Sequence, residues 1–146
     1  MSLVFVSRAT GALIYVLSND HCPPHVHARH RGENWIARVG FSYVNGAAEL
    51  ISITPLKNAP LHRVLSRLLD DIHARLAECR QSWWMIQETT CLVNQWAAIA
   101  ATGKIELLSE RSPDAKQIAD AIYEPSTKRL QVTFVDGTTT EVNTWA

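Results

Sequence analysis

Between residues 13 and 54 apolar positions come in short runs cut by turn-forming residues. Residues 13–17 form an apolar, β-branched and aromatic run that stops at Ser18, Asn19 and Asp20, whose side chains satisfy turn backbone. Pro23 and Pro24 exclude a helix, because neither offers an N–H and each disfavours helical backbone in the residue before it. The chain must cross them extended, so residues 25–30 are expected to form a strand. Residues 31–34 supply a turn, 35–41 a partner strand, Asn45–Gly46 a hairpin turn and 48–54 a further strand. The pattern reads as an antiparallel β-meander.

After Pro55 the period changes. Leu61, Val64, Leu65, Leu68, Leu69, Ile72, Leu76, Cys79, Trp83 and Ile86 recur at steps of three and four, the stripe of an amphipathic helix with Pro60 in its first turn. Over residues 60–88 a single helix would be about 43 Å long at about 1.5 Å per residue. That exceeds what a small sheet covers, so part of the stripe is expected to face a second helix or a second copy, most simply in a homodimer. Thr89–Thr90 can cap a second helix through residues 96–101, ended by Gly103. Residues 109–116 mix charge, Ser and Pro and read as a linker. Beyond it 117–123, 129–135 and 138–145 read as three strands, with residues 125–128 and Asp136–Gly137 as their turns.

The expected fold class is therefore α+β: an antiparallel β-meander packed on a long helix and a second helix in residues 1–108, then a small three-stranded antiparallel sheet in 117–146.

Composition narrows the class. Of 146 residues 47% are hydrophobic and 19% charged, as in a globular chain rather than a disordered one. Lys plus Arg and Asp plus Glu are 14 each, so no net field draws the chain to nucleic acid or anionic lipid. The balance is uneven along the chain: residues 1–80 carry nine basic against six acidic groups, and residues 81–146 five against eight. No apolar run approaches the roughly 18 residues of a membrane span. Three cysteines without a Cys-x-x-Cys pair, behind an N-terminal segment too short for a secretory leader, point to reduced thiols in the cytoplasm.

The candidate chemistry is concentrated in one place. Four of the six histidines lie in residues 21–30. On a strand, His25 and His27 share a face. The stiff proline corner can fold His21 back to them, giving three imidazoles of the kind Zn²⁺ or another divalent transition metal accepts with an open position for water. Asp20 can orient one ring. Two other uses fit the same residues: metal-free acid–base chemistry, with Cys22 and His25 as a thiol and its base, and plain hydrogen bonding of imidazoles to turn carbonyls. Arg29 and Arg31 share the histidine face and Arg63 and Arg67 are four apart on the helix. They form either a surface for RNA or a solvated face balanced by Asp70, Asp71 and Glu78. Trp83 and Trp84 read as core or interface anchors.

Asn19-Asp-His-x-Pro-Pro-His-Val-His-Ala28, the turn at Gly32, residues 35–39 and the Leu-rich helix closing in Trp83-Trp84-Met-Ile86 resemble the small bacterial domain-of-unknown-function family four-one-six-zero, over residues 3–88. Residues 118–142, with Leu130-Gln-Val-Thr-Phe-Val-Asp-Gly137, resemble the opening strands of family two-four-four-two, whose members are commonly encoded beside the first. The pairing implies a toxin–antitoxin-like or regulatory protein of the bacterial cytoplasm, acting through protein and RNA contacts, with a basic, RNA-directed or metal-dependent first part held by an acidic second. His21, His25, His27 and Ala28 match the family's motif; no catalytic role comes with them. Beside this stand two readings from the residues themselves: a metal-dependent hydrolase or nuclease using His21, His25 and His27, and a purely structural interaction module.

Overall fold

The computed structural model of the chain describes residues 1–143. The fold is α+β, with two antiparallel five-stranded sheets and two helices, and the chain divides into two compact units.

The first unit holds residues Met1–Ser42 and Gly46–Glu88. Its sheet is a meander in the order β1 (Ser2–Val6), β2 (Leu13–Val16), β3 (His25–His30), β4 (Trp35–Phe41) and β5 (Ala48–Thr54). The four strands expected from the pattern are present, and β1 is added at the edge. Strand alternation places Ile14, Val16, Val26, Ala28, Trp35, Ala37, Val39 and Phe41 on one buried face. Phe41 meets Trp83 of the helical layer edge-on, ring centroids 6.4 Å apart.

The expected long helix is two helices, α1 (His62–Ala74) and α2 (Leu76–Gln87), because Arg75 leaves helical backbone at φ −122° and ψ 30°. Neither Pro nor Gly causes the break. Five strands about 4.8 Å apart cannot lie under a straight rod of about 43 Å. Interrupting it lets Leu68 and Ile72 of α1 and Leu76, Cys79 and Trp83 of α2 all be buried. Arg75 itself caps the break from outside, its guanidinium 5.0 Å from the Phe5 ring centre and 3.1 Å from the Glu78 carboxylate. In α2, burial and then the Glu78 charge push the Cys79 thiol up to about 12.

The second unit holds Tyr43–Asn45 and the chain from Thr89 on. Its sheet has the order β10-β9-β8-β6-β7, with β6 Trp96–Ile99, β7 Ile105–Leu108, β8 Lys116–Glu124, β9 Arg129–Phe134 and β10 Thr139–Asn143. The helix expected at 96–101 is therefore a strand. Alanine favours a helix, but a run this short is decided by its partner. Trp96–Ile99 pairs antiparallel with Ile105–Leu108 around a turn closed by Gly103 at φ +83°. These two strands enlarge the expected three-stranded sheet to five. Residues 109–115 join β7 to β8 inside this unit, so the division falls after Glu88 rather than in a linker at 109–116. The last strand was expected through Trp145; β10 is described over Thr139–Asn143, and residues 144–146 lie outside the described ones. The Asp136–Gly137 hairpin turn is formed, with Gly137 at φ +87° and Phe134 N donating to Thr138 O at 2.8 Å. Among the described residues no helix is long and apolar enough to cross a membrane.

Candidate metal centre

Strand β3 brings His25 and His27 to one face of the first sheet, as their spacing of two requires. That face is not open. His25 is 6% and His27 4% exposed, because the loop between β2 and β3 folds back over them. The rings meet edge-on at 67° with centroids 5.1 Å apart. Tyr15 of β2 stacks on His27 at 5.1 Å and 12°, and the Trp83 ring lies 5.3 Å from that of His25. Packed aromatic neighbours of this kind fix ring planes.

The covering loop supplies a third group. The Leu17 amide donates to Asp20 Oδ2 at 2.8 Å, and the Asp20 amide donates back to the Leu17 carbonyl at 3.2 Å. This turn leaves Asp20 Oδ1 facing both imidazoles, 2.8 Å from His27 Nε2 and 3.4 Å from His25 Nε2. Burial pushes the Asp20 carboxyl upward. The hydrogen bond with His27, the Leu17 amide and the charges of His27 and His25 together outweigh it and hold the group below the usual carboxylate range.

His25 carries the most informative atom. Its Nδ1 lies 2.9 Å from the Pro23 carbonyl, just after the cis Cys22–Pro23 peptide, and a nitrogen facing a carbonyl must be the donor. In the neutral ring Nε2 then presents a lone pair. That nitrogen is buried, has no hydrogen-bond partner and faces a carboxylate oxygen. Two acceptors opposed in this way call for a proton or a cation between them, and a buried acceptor left unsatisfied costs about 1–3 kcal/mol. Bonds of about 2.0–2.2 Å at tetrahedral angles set ligand atoms about 3.3–3.5 Å apart. The 3.4 Å pair already has that separation, and the 2.8 Å pair needs a small opening. Asp20, His25 and His27 thus form a group that could hold a metal ion, with ligand atoms all within 4.8 Å of one another.

The group borders a cavity of about 360 Å³ whose wall also includes His21, Cys22, Arg38 and Ile51. His21, expected as the third ligand, is exposed on the cavity wall and stands outside the group; Asp20, expected only to orient a ring, takes its place. The turn at Leu17, visible only in the folded chain, decides this. A turn that leaves Asp20 seven residues before His27 lets a carboxylate reach back over the strand, whereas His21 precedes two prolines that carry it outward. Cys22 is disulfide-bonded and so offers no thiolate, and among the described residues the free cysteine is the buried Cys79, so the expectation of reduced thiols holds there alone. Arg29, Arg31, Arg63 and Arg67 are exposed, and none lines the cavity.

The cation that does line it is Arg38 of β4, which is not among the arginines expected there. Its signal was present: the hairpin pairs His30 with Trp35, and counting back along both strands places Arg38 opposite His27. On the other side of β4 the register passes from Arg38↔Ser52 to Val39↔Leu50, which leaves Ile51 as the extra residue of a bulge and puts it on the cavity wall.

Neither a protein-family model, nor a curated protein, nor a solved structure matches this chain.

Proposed function

We propose that the chain is a mononuclear metal protein of the hydrolase type, holding Zn²⁺ or another divalent transition metal through Asp20, His25 and His27. The observation that carries this reading is the orphaned, buried His25 Nε2 aimed at Asp20 Oδ1. The Pro23 carbonyl sets the His25 tautomer, as an outer hydrogen-bond partner does for metal-ligating histidines, and Tyr15 holds the His27 ring plane. Asp20 contributes the negative charge that makes the site attractive to a cation. Three protein ligands beside an open cavity support a catalytic rather than a structural site, since structural zinc sites close with four. A metal of this class brings a bound water to a pKa near 7, making a nucleophile at neutral pH.

The test is cobalt(II) titration of the chelator-treated full chain. Saturable uptake of one ion per chain is expected, weakened by more than about tenfold in His25→Ala and Asp20→Asn. No saturable uptake at neutral pH overturns the reading. The 2.8 Å contact between His27 and Asp20 favours a second reading, a metal-free acid–base pair. Its mark is an activity that survives chelation.

A further inference from the structure

Arg38 is an unusual neighbour for a metal site. It stands directly opposite His27 across β3 and β4, where paired residues have Cβ atoms about 5 Å apart, and its side chain lines the same cavity. Among the described residues its side chain makes neither an ion pair nor a hydrogen bond. Asp20, the carboxylate of the cavity wall, is taken up by the Leu17 amide through Oδ2 and by the two histidines through Oδ1. A guanidinium placed beside a bound divalent cation repels it unless an anion lies between them.

We infer that Arg38 is the anion-recognition residue of this cavity and that the site takes a phosphoryl group bridging the metal and the guanidinium; the inference rests on the metal reading above. The choice among anions follows from counting oxygens. A guanidinium presents a planar fork that takes two oxygens side by side. A carboxylate engaged by that fork can reach the metal only by sharing one of its two oxygens with the guanidinium. A phosphate group can give two oxygens to Arg38 and keep another for the metal. Its charge also matches a cavity in which one carboxylate faces a divalent cation and a guanidinium. The bulge at Ile51 fits this role, because it supplies an apolar wall next to Arg38 without pairing its polar groups. The substrate class is therefore a phosphoester, and Arg38 positions its phosphoryl group against the metal.

The experiment uses the full chain loaded with cobalt(II), whose visible bands report its ligands. Inorganic phosphate is expected to shift the bands saturably in the wild type. Arg38→Met should take up cobalt at least as tightly as the wild type, since a repelling charge is gone, and bind phosphate at least about tenfold more weakly, with Arg38→Lys in between. Acetate at the same concentration should not reproduce the shift. Methyl phosphate and dimethyl phosphate, run as separate arms, tell a monoester from a diester backbone. An Arg38-dependent shift with either supports the assignment and names the source. Cobalt uptake without a phosphate response, equal phosphate affinity in Arg38→Met, or acetate binding as tightly as phosphate overturns this inference alone. A wild-type chain that takes up no cobalt overturns the metal reading and this inference with it.

Discussion

His25 and His27 were legible as a pair because a strand has a period of two, and nothing beyond that period was needed. The third member was not legible, since it depends on which residue of a folded-back loop reaches the rings. His21 and Asp20 are adjacent in sequence, and only the turn at Leu17 puts the carboxylate inside and the imidazole outside. The two sites are therefore expected to part under substitution: His27→Ala should weaken cobalt binding by more than about tenfold, whereas His21→Ala, and His73→Ala on α1, should leave it within about threefold. Equal losses in His21→Ala and His27→Ala would restore the three-imidazole set. Asp20 also acts without metal. Its carboxyl is held below the usual range, so its contribution to stability is fully present above the unfolded value of about 3.9 and is lost as the pH falls through the lower folded value. In the metal-free chain Asp20→Asn should cost about 1–2 kcal/mol at neutral pH, and the gap from the wild type should close in acid below about pH 3.9. Denaturant melts of both chains across that range check it. A gap that widens in acid has the wrong sign.

Among the elements, the meander was readable because each strand is bounded by Pro, Gly, Asn or Asp and alternates cleanly. The hairpin of β6 and β7 was not, because Ala-rich and Leu-rich runs of four residues fit either period and pairing decides between them. The break at Arg75 left no mark in the stripe, since the apolar steps pass through it unbroken. The bulge in β5 could not be read either, yet it gives a sharp expectation. Deleting Ile51 makes Leu50 and Ser52 consecutive opposite Val39 and Arg38, so the ladder closes without a slip of register. Such a chain should fold, with a stability change of no more than about 2 kcal/mol, and keep its cobalt affinity while losing part of its phosphate response, because the wall beside Arg38 is gone. Loss of the folded state would instead mean that the bulge holds the strand in place. In α2 the raised, buried Cys79 thiol should resist maleimide in the native chain and react once denaturant unfolds it, a contrast that mass spectrometry reads directly.

At the scale of the whole molecule, composition indicated a globular chain without saying where it divides. A charged, Pro-containing stretch at 109–116 looked like a boundary, but its neighbours β7 and β8 both belong to the second sheet, so it is an internal connection. The division after Glu88 follows the end of α2, where Glu88, the capping residue beyond Gln87, turns into left-handed backbone at φ 54° while its amide still bonds the Trp84 carbonyl at 2.9 Å. Every residue assigned here to the metal site, its aromatic supports and its anion-binding arginine lies before that point. The first unit has its own buried sheet face and its own helical layer, so a chain ended at Glu88 should fold. With Cys22 replaced by serine, so that no thiol joins the cavity, it should bind cobalt within about threefold of the full chain, because Asp20, His25, His27 and the groups that orient them all precede the cut. Circular dichroism reports whether this shortened chain is folded, and cobalt absorption reports whether the site is whole. A folded chain that fails to take up cobalt would mean that the second unit completes the centre, and an unfolded one that the first unit does not carry a sufficient core of its own.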